Sequence, residues 1–219
     1  MENTRQKTNN RMALLLIAGV PVTMILGATW LWYFVKSGDL DLVNILGTAN
    51  RGELVQPPRQ IDEGVLTEPN GTRFRYANLE PRWTMVIPVE GGRCDTICEN
   101  KLYLTRQIHI GMGKEFNRLQ RFYVSETNVD DTQLTVGELS DKSPAPADFA
   151  AYLAAEHRGL RALELGPGVT GQLFPEYGAD PSVWYLVDPS GWIMMYYNDS
   201  ISYKDVIADL KFLLKNSSD

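Results

Sequence analysis

The segment WTMVIPVEGGRCDTICENKLYLTRQIHIGMG, residues 83–113, decides the fold of this 219-residue chain. Its first six residues form a nearly continuous apolar run, which is typical of a strand buried on both faces of a sheet. Two glycines then interrupt the run, and from Ile97 onward apolar residues recur at the spacing of a helix. Cys94 and Cys98 are the only cysteines of the chain, and both lie at this transition. The segment therefore predicts a strand, a loop and a helix, with a cysteine pair where the helix begins.

Strand and helix patterns alternate through the rest of the chain. Three further apolar runs predict strands: residues 119–126, 183–188 and 192–197. Helical spacing predicts one helix over residues 149–163 and another that starts at Ser202, where Ser202 and Asp205 form a capping-box pair. A tight turn at residues 189–191 joins the last two strands. This order of elements predicts an α/β sandwich around a mixed sheet.

The composition excludes several classes of protein. A net charge of −6 argues against a nucleic-acid partner bound through a basic surface. Two cysteines are too few for a disulfide-rich scaffold or a four-cysteine zinc site, although they suffice for one bridge or one thiol pair. The only histidines, His109 and His157, are too few for a histidine-rich metal cluster. Unusual chemistry is therefore expected at Cys94 and Cys98.

An uncharged apolar run of 24 residues, from Met12 to Val35, follows a short basic tail at residues 1–11. As a helix the run would extend roughly 36 Å, enough to cross a hydrocarbon layer of roughly 30 Å. A cleaved secretory signal has an apolar region of only about 7–15 residues, whereas this run ends in aromatic residues typical of a membrane interface. We therefore expect one transmembrane helix over residues 12–35. The basic tail predicts a cytoplasmic N-terminus, with the remaining chain on the periplasmic side of the inner (cytoplasmic) membrane.

The chain beyond the anchor divides into two parts. Residues 36–80 show little periodicity and many turn formers, among them Pro57 and Pro58. We interpret this part as a stalk and an N-terminal arm laid against the domain, with a weak strand pattern at residues 72–79. The second part, residues 81–219, holds the alternating strands and helices and is predicted to form the folded domain.

The cysteine pair suits three kinds of site. If both residues lie on the opening turn of a helix, their Cα atoms are roughly 6 Å apart, within the range of a disulfide. The helix N-terminus and Arg93 favour a thiolate, whereas Asp95 and Glu99 oppose it. Thiolates are soft ligands that suit Cu(I), so Cys94 and Cys98 could exchange disulfides, hold copper or form a structural bridge.

The spacing of Cys94 and Cys98 favours a functional role over a structural one. A bridge between residues four apart closes a very short loop and removes little entropy from the unfolded chain. We expect Cys94 to be the attacking, exposed thiol, since it lies nearer the loop and the positive end of the helix.

These features together resemble the Sco (SenC) family, whose members are membrane-anchored thioredoxin-like proteins that help to assemble the copper centre of cytochrome c oxidase. The resemblance covers residues 45–215 and rests on the anchor, the WTMVIP strand, the motif from Cys94 to Cys98 and the YLVDPSG turn at residues 185–191. It implies a thioredoxin-like sandwich with a mixed central sheet, preceded by one transmembrane helix. It also implies that Cys94 and Cys98 are the redox-active, copper-binding pair. The implied partner is a cytochrome oxidase subunit or another copper or thiol protein.

One position departs from the pattern of that family. The third copper ligand of the family is a histidine shortly before the strand that enters the Asp-Pro-x-Gly turn, and Pro181 stands at about that place here. His109 lies 11 positions beyond Cys98, which is roughly 16 Å along a helix, and His157 belongs to a separate helix. Copper binding through three such ligands is therefore not expected.

The loop at Asp180 and Pro181 has a second interpretation. Thioredoxin-like oxidoreductases place a cis-proline just before this strand, next to the dithiol, and Pro181 could fill that role. The alternative is an ordinary trans proline that starts a strand. Asp180 and Ser182 flank the proline and could supply polar contacts.

Three functions therefore remain open. The first is thiol–disulfide exchange with another protein, and the second is Cu(I) handling by the two thiolates. The third is a non-catalytic, membrane-anchored assembly scaffold with a structural disulfide. Three methionines, which are more often core residues than ligands, could add a sulfur to a Cu(I) site: Met112, Met194 and Met195.

The apolar run and the basic tail before it generate a prediction about topology. A reporter fused to the C-terminus of the full chain is expected to behave as extracytoplasmic, and the protein is expected to remain in the membrane fraction. Reporter activity and cell fractionation measure both properties. A soluble, shortened product would show instead that residues 12–35 are a cleaved signal.

Overall fold

The computed structural model describes residues 2–37, 50–61 and 64–217. They fall into two compact units, and the described part of the first is a single helix, α1 (Glu2–Ser37), which includes most of the predicted tail and the whole predicted anchor. Residues Leu16–Phe34 have a mean hydropathy of 1.5 and none is buried, so α1 is long and apolar enough to cross a membrane. The second unit begins at Asn50. Residues 38–49 of the predicted stalk lie outside the described residues.

Seven strands of the second unit form one mixed sheet in the order β1-β9-β8-β3-β5-β7-β2. Their bounds are β1 (Glu53–Gln60), β2 (Leu66–Thr67), β3 (Trp83–Val89), β5 (Leu119–Ser125), β7 (Leu160–Leu165), β8 (Trp184–Val187) and β9 (Trp192–Tyr197). Strands β3, β5 and β7 run parallel, whereas β8 and β9 form an antiparallel hairpin that pairs with β3. A separate two-stranded parallel ladder joins β4 (Arg93–Cys94) to β6 (Gln133–Leu134). The mixed sheet predicted from the sequence is confirmed.

An apolar core lies on each face of the sheet. The helices of this unit are α2 (Thr96–Gly111), α3 (Phe149–Glu156), α4 (Thr170–Leu173), α5 (Pro175–Ala179) and α6 (Tyr203–Asn216). One core contains Met85 of β3 with Leu102 of α2 and Leu210 of α6. The other core contains Val86, the next residue of β3, with Phe174. Successive residues of β3 are therefore buried on opposite faces, as expected for the central strand of an α/β sandwich.

The helix predicted over residues 149–163 is too long. It ends at Glu156, and the chain turns through Gly159, whose φ of +80° is costly for other residues, before β7 begins. Strand β7 then pairs with β5 and buries Leu163 and Leu165 in the second core. The apolar residues of LRALEL fit the alternation of a strand and the spacing of a helix equally well. Periodicity alone therefore could not distinguish a strand from a helix here.

The predicted N-terminal arm contributes directly to the sheet. Strand β1 pairs with β9 at one edge and β2 pairs with β7 at the other, so the boundary predicted at residue 81 falls inside a sheet that starts with Glu53. Strand β1 contains Pro57 and Pro58, which an edge strand tolerates because one side of it needs no hydrogen bonds. The strand pattern at residues 72–79 is wrong, because Tyr76–Asn78 form a short 3-10 helix.

His157 is a buried residue that joins α3 to the sheet. It follows the last turn of α3, its side chain is 2% exposed, and its Nδ1 lies 3.3 Å from Nη1 of Arg121 on β5. A guanidinium can only donate, so Nδ1 accepts and the ring is neutral. Burial, together with the positive charges of Arg121 and Arg106, lowers the pKa of His157 to about 3.

This buried, neutral His157 predicts a loss of stability in acid. The unfolded chain binds a proton on His157 below about pH 6.5 and the folded chain does not until about pH 3, so the free energy of unfolding should fall across that window by roughly 1.4 kcal/mol per pH unit. Urea unfolding of the full chain at several pH values measures the slope. For the His157→Gln variant, the slope should be smaller by roughly 1.4 kcal/mol per pH unit, because one proton fewer is bound on unfolding. Equal slopes in both proteins would contradict the prediction.

Candidate functional site

The cysteine pair lies where the small β4–β6 ladder meets α2. Cys94 is the last residue of β4, and Cys98 lies in the first turn of α2. A disulfide joins them, with their Cα atoms 5.0 Å apart. Only Cys98 lies on the helix, because Asp95 is the N-cap and its carboxylate accepts hydrogen bonds from the backbone N–H groups of Ile97 and Cys98, at 3.0 and 3.1 Å.

Both cysteines are buried in the disulfide form. Cys94 is 0% exposed and Cys98 is 5% exposed, so exposure does not mark Cys94 as the attacking thiol in this state. The chain around β6 pairs with Cys94, and its apolar residues pack in the same core as both cysteines. Gln133 donates to the carbonyl of Gly92 at 2.9 Å, and the backbone N–H of Thr135 donates to the carbonyl of Cys94 at 2.9 Å.

Hydrogen bonds to Glu99 connect the chain that follows β6 to α2. We call residues 133–140 the cover segment. Its last residue, Ser140, donates its backbone N–H to Glu99 Oε1 at 3.1 Å and its hydroxyl to Glu99 Oε2. Tyr152 of α3 donates its hydroxyl to the same carboxylate at 3.3 Å. Glu99 is 2% exposed, so these bonds satisfy a buried charge that directly follows Cys98. The sequence of the cover segment has no periodic pattern, and its position could not be predicted.

A buried lysine lies one turn further along α2. Lys101 is 3% exposed, and its Nζ donates to the carbonyl oxygens of Pro88, Pro181 and Val183, at 2.8, 2.9 and 3.3 Å. The face of the Tyr177 ring lies 4.4 Å from the same nitrogen. Burial lowers the pKa of Lys101 to about 7, although Asp180 and Asp95 raise it. Sequence reasoning missed Lys101, because a lysine on a helix is usually exposed.

The loop before β8 contacts α2 through Lys101, whose Nζ donates to the carbonyl oxygens of Pro181 and Val183. In this loop, Asp180 accepts hydrogen bonds from the backbone N–H and the hydroxyl of Ser182, at 2.9 and 2.7 Å. Asn198, which follows β9, donates to the other carboxylate oxygen at 3.0 Å. The hydroxyl of Ser182 is the main reason why the pKa of Asp180 is lowered. The cis-proline hypothesis for Pro181 is wrong, because the cis peptide bond in the described residues precedes Pro57.

The histidines and methionines that were considered as metal ligands have other roles. His109 is 9% exposed, stacks on Phe116 and bonds through Nε2 to the carbonyl of that residue at 2.9 Å. His157 bonds to Arg121 as described above. The methionines belong to or pack against the core that also contains both cysteines: Met112, Met194 and Met195.

The donor set at this site does not fit the three-ligand copper centre that the resemblance implies. Across residues 2–37, 50–61 and 64–217 there is no group of three His, Cys, Asp or Glu side chains that could hold a metal ion. The loop that would supply a histidine supplies the carbonyl of Pro181 instead, and that carbonyl accepts from Lys101. The candidate metal ligands that the structure brings together here are thus the two sulfurs of Cys94 and Cys98.

Comparison with solved structures shows the fold. The structure of yeast Sco1 with copper bound aligns with 78% of this chain and 97% of its own chain, at 16% identity and a TM-score of 0.52. The structure of Arabidopsis thaliana ScoI with copper bound aligns with 71% and 98%, at 15% identity and a TM-score of 0.50. The thioredoxin-like architecture expected from the sequence is confirmed. No curated protein sequence matches the chain.

A family model identifies the domain more directly. The model described as the transmembrane-like, thioredoxin-like, C-terminal domain matches residues 83–143 and 138–217, which together are more than half of the chain. These segments hold the strands from β3 to β9 and the cysteine pair. The chain therefore belongs to the family of transmembrane-like, thioredoxin-like C-terminal domains.

Proposed function

We propose that this chain is a membrane-anchored thiol–disulfide oxidoreductase that acts through Cys94 and Cys98 on another protein, in support of cytochrome c oxidase assembly. The observation that carries the proposal is the disulfide at the start of α2, which links residues only four apart. Such a bridge constrains the unfolded chain very little, so chain entropy gives a weak reason for its presence. Reversible opening gives it a chemical use.

The reaction follows from the two thiols. In the reduced protein, a thiolate of the pair attacks one sulfur of a partner's disulfide, so that a mixed disulfide forms and the partner releases its other sulfur as a thiolate. The second cysteine then attacks the mixed disulfide, closes the Cys94–Cys98 bond and releases the partner's second thiolate. Two electrons pass to the partner. A dithiol protein must then reduce the pair again.

The surroundings of the pair limit where a partner can approach. The cover segment lies on Cys94, whereas on the other side of α2 a cleft of about 160 Å³ is lined by residues that include Ile97, Lys101 and Ser182. Ile97 is 44% exposed and lies beside Cys98 in sequence. A partner's chain that contacts Ile97 would reach the first turn of α2, where Cys98 lies.

In this proposal, the membrane anchor determines the compartment in which the folded domain lies. With α1 in the inner membrane and the basic tail in the cytoplasm, the domain with Cys94 and Cys98 would lie in the periplasm, where disulfides form and persist. The second candidate function is Cu(I) handling, which is favoured by the proximity of two soft sulfur ligands after reduction.

Single-cysteine variants test the exchange reaction. Cys98→Ala or Cys94→Ala should trap a mixed disulfide with a partner protein, because the second thiol that resolves it is missing. Non-reducing electrophoresis and intact mass of the full chain measure the product, and the Cys94→Ala/Cys98→Ala double variant is the control that should trap nothing. The variant that traps reveals the attacking thiol: trapping by Cys98→Ala would assign Cys94, as the sequence predicts, and trapping by Cys94→Ala would assign Cys98, which lies beside the exposed Ile97.

The stability of the oxidised and reduced protein separates exchange from the scaffold alternative. The reduced wild-type chain should unfold at nearly the same temperature as the oxidised chain, because the bridge closes so short a loop. A loss of about 2–5 kcal/mol on reduction, which is typical of a structural disulfide, together with no trapping, would favour the scaffold.

Titration with Cu(II) tests whether the chain forms the three-ligand copper centre that the resemblance implies. Cu(II) should bind weakly or not at all, because the loop before β8 offers the carbonyl of Pro181 and both histidines are bonded elsewhere. Electron paramagnetic resonance of the reduced full chain with added Cu(II) measures this. A stable complex with nitrogen hyperfine structure would contradict the prediction.

A further inference from the structure

Among residues 2–37, 50–61 and 64–217, Lys101 is a buried lysine three positions from Cys98, and the proposed exchange reaction gives it no role so far. Its three acceptors come from two separate parts of the chain. Pro88 lies in β3, whereas Pro181 and Val183 lie in the loop before β8. The side chain of Lys101 therefore ties α2 to the sheet and to the neighbouring loop at the same time.

The three hydrogen bonds favour the charged form of the side chain. An ammonium has three protons to donate, whereas a neutral amine has two. The groups that face Lys101 agree with a cation. Asp95 at the start of α2 and Asp180 in the loop are both close enough to raise its pKa, and the ring of Tyr177 on α5 presents its face to Nζ. Tyr177 itself is neutral, because burial raises the pKa of its hydroxyl.

Helix geometry places Lys101 next to Cys98 on the surface of α2. Lys101 and Cys98 are three residues apart on α2, and both belong to its buried face. A long side chain on a helix leans towards the helix N-terminus, which here is the turn that carries Cys98. Asp95, which directly follows Cys94, lies within electrostatic reach of the same amine.

We propose that Lys101 is a positioning residue for the exchange reaction, whose ammonium holds the loop at Pro181 against β3 and stabilises the thiolate of Cys98 when the disulfide opens. This inference rests on the proposed function. The disulfide is neutral, whereas attack on it releases one sulfur as an anion, so a fixed cation favours the open form. The charge also offsets the carboxylates of Asp95 and Glu99, which flank the pair and oppose a thiolate.

The reactivity of the Cys98 thiol tests this proposal without a partner protein. In the Cys94→Ala background, the rate of alkylation of Cys98 by iodoacetamide is measured against pH in the full chain. The Lys101→Met variant should raise the apparent pKa of the thiol by about one unit and slow alkylation at pH 7 by about tenfold, since only the thiolate reacts. The matched control is Lys211→Met, which removes the same charge from the exposed side of α6.

The results separate the two proposals. An unchanged pH profile in a folded Lys101→Met variant, or an equal shift in Lys211→Met, would overturn the role of Lys101 whatever the partner. Failure of the single-cysteine variants to trap a partner would overturn the exchange function but leave the alkylation result intact.

A measurement on the unsubstituted side chain covers the case in which Lys101→Met does not fold. In the wild-type chain, the pKa of Lys101 is followed by the nuclear magnetic resonance signal of its Nζ in the oxidised and the reduced states. Coupling between two titrating groups is reciprocal, so the thiolate should raise the pKa of Lys101 on reduction. The same pKa in both states would overturn the proposal.

Discussion

The arrangement around the cysteines depends on the buried ammonium group of Lys101. An ammonium that is 3% exposed is stable only when each of its protons finds an acceptor, and the three acceptors of Lys101 come from β3 and from the loop before β8. Satisfying the amine therefore fixes the distance between α2, the sheet and that loop. The first turn of α2, with Cys98 in it, is positioned by the same contact.

A second buried charge fixes the opposite side of the cysteines. Glu99 accepts from Ser140 and Tyr152, so the cover segment and α3 are bound to α2 by one carboxylate. Breaking either buried group away from its partners would leave a desolvated charge, which costs more than an ordinary surface contact. The buried cation of Lys101 and the buried anion of Glu99, both on α2, thus fix the position of the turn that carries Cys98. In the proposed exchange reaction, such a site would return to the same geometry after each cycle.

Local sequence patterns predicted the parts of this fold that depend on local physics. The apolar run of β3, the β8–β9 hairpin and the capped start of α6 all have signals within a few residues, and Ser202 is the N-cap of α6 as expected. Strand β7 was missed because its six residues fit two periodicities, and the choice is made by pairing with β5. The burial of Lys101 and Glu99 could not be predicted, because their hydrogen-bond partners are distant in sequence and nothing near them marks them as buried. The cysteines themselves were found because their rarity and spacing are visible in the sequence alone.

The central claim is that the bond between Cys94 and Cys98 opens and closes in use, and the reduction potential of the pair tests it most directly. The potential is measured on the full chain in detergent, by equilibration with thiol redox buffers and counting of free thiols by mass. Structural disulfides usually have potentials below about −300 mV, whereas disulfides that exchange have higher ones. The account predicts a midpoint above about −300 mV. A bond that stays closed at that potential would contradict it.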